Sequence, residues 1–346
     1  MPDIARMVAA LGGMAQKQQL VRRGARDLDL TRAVRSGEVV RVRNGWYSTL
    51  SEQSPELRAV RVGGRLTGIS AVIALGGWVL GPHRLHVAVN ENAARLRTQH
   101  NRHRRLDVKN ARDVVVRWVD KQQSERGSAF SVGLLDALER VVLDEEFETA
   151  VAALDWALHT AAIDLIDFES LILRLPAELR GIRDWVDIAC ESLPESLSRT
   201  RIRLAGHSVR SQVPMSGGRA IDLVVDEVAG IEVDGEATHL TKFESDRSKD
   251  VDITLMELHA LRPSARMVFH DWERFERSVE VAVALHRNTP ATFGNSGDRA
   301  RAPLNTPGMR GWRRRARARS PEFPKGTGEG PWGLACAARG GWAARE

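Results

Sequence analysis

Residues 220–234 read Ala220-Ile221-Asp222-Leu223-Val224-Val225-Asp226-Glu227-Val228-Ala229-Gly230-Ile231-Glu232-Val233-Asp234. Aliphatic and β-branched residues fill two short runs, at 220–225 and 231–234, and the polar and glycine-containing stretch between them has the composition of a tight turn. The pattern predicts an antiparallel pair of strands. Residues opposite one another in such a pair project to the same side. Asp222 should therefore meet Glu232, and Asp234, two residues on, should share the face of Glu232. Carboxylates gathered in this way repel one another. A divalent cation relieves the repulsion, and an all-oxygen donor set favours magnesium or manganese. Solvent-facing strands also carry acids with no chemistry attached, so the two strands alone leave both readings open.

Upstream of these strands the pattern predicts a helix from Trp185 to Leu204 with a break at Pro194, and a strand over Ser208–Val213. Downstream it predicts a helix over Phe243–His259, a strand over Arg266–His270 and a helix from Trp272. The resulting order over 186–288, α-β-β-β-α-β-α, is that of the PD-(D/E)XK restriction-endonuclease-like α/β fold. The stretch Val233-Asp234-Gly235-Glu236-Ala237-Thr238-His239 resembles the Val-Asp-Gly-x-x-x-His segment of Vsr-type very-short-patch repair endonucleases. Asp246-Arg247, Lys249-Asp250, Glu195-Ser196 with Arg199, and Gln212 are similar to further positions of Vsr-like domains. The resemblance implies a magnesium- or manganese-dependent phosphodiester hydrolase. Asp222 and Glu232 would be its metal ligands, Glu195 a supporting acid and His239 a proton donor or phosphate-positioning group; Asp234 joins the catalytic cluster by its spacing from Glu232. Arg247 and Lys249 would lie near phosphate. The chain departs from that pattern at Asp234, where the family usually has lysine; Lys242 or Lys249 are the candidate replacements. It departs again in the last predicted strand, where the nearest arginine is Arg266.

The first fifty residues form a separate basic unit. Asp3 is placed to cap a helix with apolar positions Ile4, Met7, Val8 and Leu11, which Gly12-Gly13 ends. Helices are predicted over Ala15–Arg23 and Leu28–Ser36, and Asn44-Gly45 marks a hairpin between Val39–Arg43 and Trp46–Ser48. Three helices and a hairpin are the parts of a winged helix-turn-helix. In that arrangement Arg32 and Arg35 lie on the groove-reading helix, Arg41 and Arg43 on the wing, and Lys17, Arg22 and Arg23 near phosphates. The run through Gly12-Gly13-Met14, Gln19-Leu20, Gly24, Arg35-Ser36-Gly37, Arg41-Val42-Arg43 and Gly45-Trp46-Tyr47 resembles the N-terminal domain of AbiEi-type antitoxins. The resemblance implies repression of a toxin–antitoxin operon, with double-stranded DNA as partner. A non-catalytic repressor with a degenerate nuclease fold is therefore the alternative to a nuclease.

Charge divides the chain along the same lines. Residues 1–110 hold 19 Lys/Arg against 8 Asp/Glu, residues 111–290 hold 21 against 33, and residues 291–346 hold 11 against 4. A basic front suits a polyanionic partner. Residues 51–185 read as a mixed, mostly helical connecting region. It has a strand at Leu85–Val89 and amphipathic helices at 134–143 and 146–160. Its His83/His86 and His100/His103 pairs have a spacing that zinc sites use, although His100 to Arg105 reads more simply as a basic loop able to touch phosphate. Residues 289–346, rich in Gly, Pro, Arg and Ala, read as a disordered tail. Two cysteines, Cys190 and Cys336, argue against a disulfide scaffold, and no apolar run reaches eighteen residues. The start, Met1-Pro2-Asp3-Ile4, lacks the pattern of a secretory signal, so a cytoplasmic setting is expected. No heptad or interface stripe indicates an oligomeric state.

Overall fold

The structure, a computed structural model, describes residues 2–120, 127–234 and 243–288. The chain is mixed α/β, with three small sheets set among helices. No helix among the described residues is long and apolar enough to cross a membrane.

At the front, Asp3 caps α1 (Ile4–Ala9) by accepting from the Arg6 amide at 2.8 Å. Strand β1 (Met14–Gln16) follows, then α2 (Lys17–Arg22) and α3 (Asp27–Arg35). The predicted helix over Ala15–Arg23 is thus corrected at its start. Met14–Gln16 pairs with Trp46–Ser48 instead, an interaction of high sequence separation that no local pattern reports. Strands β2 (Val40–Arg43) and β3 (Trp46–Ser48) form the expected hairpin, and Gly45 supplies its left-handed turn residue at φ 78°. The sheet order is β1-β3-β2, closed over Val8, Leu20, Leu30, Val39 and Tyr47. A second apolar cluster, Met14, Val42, Leu57 and Val60, ties the hairpin to α4 (Pro55–Val62) across the expected boundary near residue 50.

The middle region continues with β4 (Arg65–Leu66), α5 (Gly68–Ala74), β5 (Leu85–Asn90) and β6 (Val114–Val119). The order is β4-β5-β6, and β5 and β6 run parallel. Helices α6 (Leu134–Asp144), α7 (Phe147–His159) and α8 (Leu165–Arg174) follow, then a 3-10 segment at Ala177–Trp185. The expectation of an amphipathic helix at 146–160 is corrected: every residue of α7 from Thr149 to Leu158 is buried. Its row of alanines lets neighbouring elements close around it, so it is the central post of the region rather than a half-exposed one.

The last unit comprises α9 (Leu193–Leu204), β7 (Val209–Pro214), β8 (Ala220–Val225), β9 (Ala229–Ile231), α10 (Phe243–Leu255), β10 (His259–Leu261), α11 (Ala265–His270) and α12 (Trp272–Asn288). The sheet order is β10-β9-β8-β7, with β10 parallel to β9 and the other pairs antiparallel. Ile202 of α9 and Phe275 and Val279 of α12 pack with Leu223, Val225 and Ile231. Ile253 of α10 packs with Ile221 and Val224. At Gly230 a Cβ would lie 2.7 Å from Ile253 Cγ2, so only glycine permits α10 to come this close to the sheet.

Two predicted elements are corrected here. Pro194 starts α9 rather than breaking a longer helix: it stands in the first turn behind the Ser192 cap, and Ala177–Trp185 is a separate 3-10 segment. Arg266–His270 is helical, not a strand, because Ser264 caps it by accepting from the Met267 amide at 3.2 Å. The last strand lies earlier, at His259–Leu261. A short apolar run fits either state until its cap is identified.

Candidate functional site

The register of β8 against β9 pairs Leu223 with Ile231, which brings Asp222 and Glu232 face to face one step further along. The two are cross-linked through backbone. The Asp222 amide donates to Glu232 Oε1 at 3.3 Å, and the Val233 amide donates to Asp222 Oδ2 at 2.8 Å. Lys249, on the helix that Gly230 admits, pairs its ammonium with Glu232 Oε2. Glu232 is only 5% exposed. Burial and the adjacent Asp222 charge push its carboxyl up to about 7, with the Lys249 ammonium acting in the opposite direction. Burial also raises Asp222, against the Val233 amide and the Lys249 charge.

Glu195 stands in the first turn of α9. Its amide donates to Ser192 Oγ at 3.3 Å, the N-cap contact of the helix, and the Ser192 hydroxyl donates to Glu195 Oε1 at 2.7 Å. Glu195 Oε2 accepts from the Glu191 amide at 2.9 Å and from Gln212 Nε2 at 3.4 Å. Gln212 sits inside β7 at φ 49°, a left-handed conformation that is costly for a residue with a side chain. Burial, then the Asp222 charge, push Glu195 up to about 7. Three acids whose pKa values burial raises thus face one region of the sheet, with one lysine among them.

Asp234 goes elsewhere. Its Oδ1 accepts from Arg262 Nη1 at 2.9 Å, and the same guanidinium donates to Asp250 Oδ1 at 3.1 and 2.7 Å. Burial works against the Arg262 charge, but the hydrogen bonds it donates to Asp250 and Asp234 hold its pKa above the ordinary arginine value. The expectation that Asp234 joins Glu232 is therefore corrected: an arginine from the β10 end claims it. His239 lies outside the described residues, as does the side chain of Arg247.

Sequence reasoning missed the partner of Ser196 and Arg199. Both turn away from Glu195 onto Asp155 of α7. Arg199 Nη2 donates to Asp155 Oδ2 at 2.8 Å, the Ser196 hydroxyl donates to the same oxygen, and the Asp187 amide donates to Oδ1 at 2.7 Å. Asp155 is fully buried and Arg199 is 2% exposed. Burial favours a neutral Asp155, but three converging donors favour the carboxylate, and we read the pair as ionic. The signal in the sequence was an acid inside an otherwise apolar helix.

Among the described residues, no group of three or more His, Cys, Asp or Glu side chains converges closely enough to hold a metal ion. The donor chemistry of Asp222 and Glu232 nevertheless fits a hard divalent cation. Both are oxygen donors, Glu232 buried and Asp222 half-buried, and desolvation raises the pKa of each while the Asp222 charge adds to the effect on Glu232. The four histidines divide between different partners. His83 and His86 face Glu145 at 3.4 and 3.7 Å, His100 meets Arg58, and His103 meets Arg102.

On the N-terminal unit, Arg22, Arg23, Arg32, Arg35 and Arg41 are exposed. Arg32 and Arg35 share a face of α3 opposite buried Leu30 and Ala33. Arg41 donates to Asn44 Oδ1 at 2.9 Å, and Arg102 Nη1 donates to the Arg41 carbonyl at 3.3 Å, which sets the 100–105 loop beside the hairpin. Lys17 is paired with Asp27 at 2.7 Å. The expectation that Arg43 offers its charge to DNA beside Arg41 is corrected: it is half buried on the hairpin strand, with Nη1 directed at the Val60 carbonyl at 3.5 Å. No family model matches the chain, and a comparison with curated proteins finds no significant relative.

Proposed function

We propose that the chain binds double-stranded DNA through a winged-helix N-terminal unit and hydrolyses phosphodiesters at a PD-(D/E)XK-like site on the C-terminal sheet. The observation that carries the proposal is the trio of Asp222, Glu232 and Lys249, a half-buried and a buried carboxylate cross-bonded through backbone amides, and a cation. Magnesium or manganese, held by Asp222 and Glu232, would supply Lewis acidity toward a phosphodiester oxygen and a more acidic attacking water. Lys249 takes the place of the lysine expected at position 234 and sets its positive charge where a phosphate approaches. Glu195, poised near neutrality, can take up and release a proton at Oε1 or Oε2 while Gln212 and the Glu191 amide hold its orientation. The exposed arginines of α2, α3 and β2 would bring the duplex to the protein through its phosphates.

A plasmid-nicking assay of the full chain with magnesium or manganese tests the proposal, with Glu232→Gln alongside. Metal-dependent nicking that the variant loses is the expected result. Absence of nicking, with tight salt-sensitive duplex binding retained, would move the assignment to the second reading. In that reading the chain is a non-catalytic repressor, for which a toxin–antitoxin operon is the natural target. Two ion pairs favour it: Lys249 already neutralises Glu232, and Arg262 already holds Asp234.

A further inference from the structure

Between the N-terminal sheet and the middle sheet lies a cavity of about 430 Å³, within the range of small-molecule sites. Gln16, Arg43 and Trp46 form one wall; Arg65 and Asn90 line the other, with Ala129 among the remaining lining residues. Two arginines face this space, and no acid is among the described residues that line it. Arg43 is the unusual one. It is half buried, its contact to the Val60 carbonyl is long at 3.5 Å, and no carboxylate of the described residues pairs with it. Burial and the nearby Arg97 charge both lower its pKa, which marks a cation short of a counter-charge. Arg65 is also half buried and donates to the Ser128 carbonyl at 3.1 Å. Gly63 keeps the wall open: a Cβ there would lie 2.3 Å from Arg43 Nη1. Trp46 adds a partly exposed aromatic surface.

We propose that this cavity binds a small phosphorylated ligand with a flat ring, a mononucleotide, with the phosphate between Arg43 and Arg65 and the ring against Trp46. A guanidinium fork matches phosphate oxygens, and a base of any identity stacks on an indole. The site is separate from the carboxylates of the C-terminal sheet and does not depend on their activity. Its occupant would touch the DNA-facing unit and the middle sheet at once.

The test is calorimetric titration of the full chain at low salt with adenosine monophosphate and, in parallel, inorganic phosphate. One molecule of adenosine monophosphate should bind per chain, more tightly than phosphate. Arg43→Gln should weaken binding at least about tenfold through loss of a charge-assisted contact. Ala129 is exposed at the cavity rim, so Ala129→Glu tests the charge argument without touching the core; it too should weaken binding. The proposal fails if no heat of binding appears at millimolar nucleotide, or if both variants bind as the parent does. It also fails if a short duplex displaces the bound nucleotide, because the phosphates recognised would then be those of DNA.

Discussion

Replacing Glu195 with glutamine should make the protein more stable at alkaline pH and no more stable at acid pH. Glu195 is 7% exposed, and its carboxyl is pushed from the ordinary 4.5 up to about 7 by burial and by the Asp222 charge. A pKa raised on folding means that the folded state prefers the protonated acid. Below about pH 4.5 both folded and unfolded chains are protonated and nothing is lost. As pH rises from about 4.5 to about 7, the unfolded chain ionises while the folded chain holds its proton, and about 3 kcal/mol of stability disappears by the time the folded carboxyl itself ionises. Glutamine never ionises and avoids that loss. Its amide can keep the contacts to the Glu191 amide and Gln212, and the Ser192 hydroxyl can turn to accept; about 1 kcal/mol is a fair cost for the imperfect exchange. The variant should therefore be about 2 kcal/mol more stable than the parent at pH 8.5 and up to about 1 kcal/mol less stable near pH 4.5. Urea unfolding of both proteins across that range, compared pH by pH, cancels the other titrating groups. A difference that stays constant with pH would refute the reasoning, and with it the idea that Glu195 is poised to exchange a proton near neutrality. Asp222→Asn should shrink the pH dependence, since the Asp222 charge contributes to it.

Other outcomes follow from the same contacts. Asp155→Ala should cost about 3–5 kcal/mol in urea unfolding because Arg199 is left buried and unpaired, whereas Asp155→Leu with Arg199→Met should recover most of the loss. Lys249→Met should move the acid limb of the nicking pH profile to higher pH, because the ammonium is what lowers the Glu232 carboxyl; an unmoved limb would place the lysine outside the mechanism. Arg22→Ala, Arg23→Ala, Arg35→Ala and Arg41→Ala should each reduce the salt slope of duplex binding by about 1. Arg43→Ala should leave the slope unchanged, since its guanidinium faces the cavity.

Much of this architecture could be read locally. Asn44-Gly45 has one favoured use between two β-rich runs, and the structure has the hairpin there. The two β-rich runs and the turn between them set Asp222 opposite Glu232, because facing positions of an antiparallel pair project to the same side. Helices were legible wherever caps and periodicity agreed, as at Asp3 and α1. Where a run was short and apolar, as at 266–270, helix and strand patterns coincide, and only the Ser264 cap separated them.

Composition and spacing by themselves determined the basic front, the order of most elements in the last unit and the facing acids, since each depends on neighbours within a few residues or on a single turn. The tertiary structure alone decided which cation meets which acid. Whether Lys249 reaches Glu232 depends on how closely α10 approaches the sheet, and that distance is set by the absence of a side chain at Gly230 against Ile253. Whether Asp234 stays with Glu232 depends on Arg262, twenty-eight residues away in sequence. Asp155 meets Arg199 from forty-four residues away, and Arg43 turns inward because α4 packs beneath the hairpin. Charges find partners by distance in space, and sequence patterns describe only what the backbone period brings together.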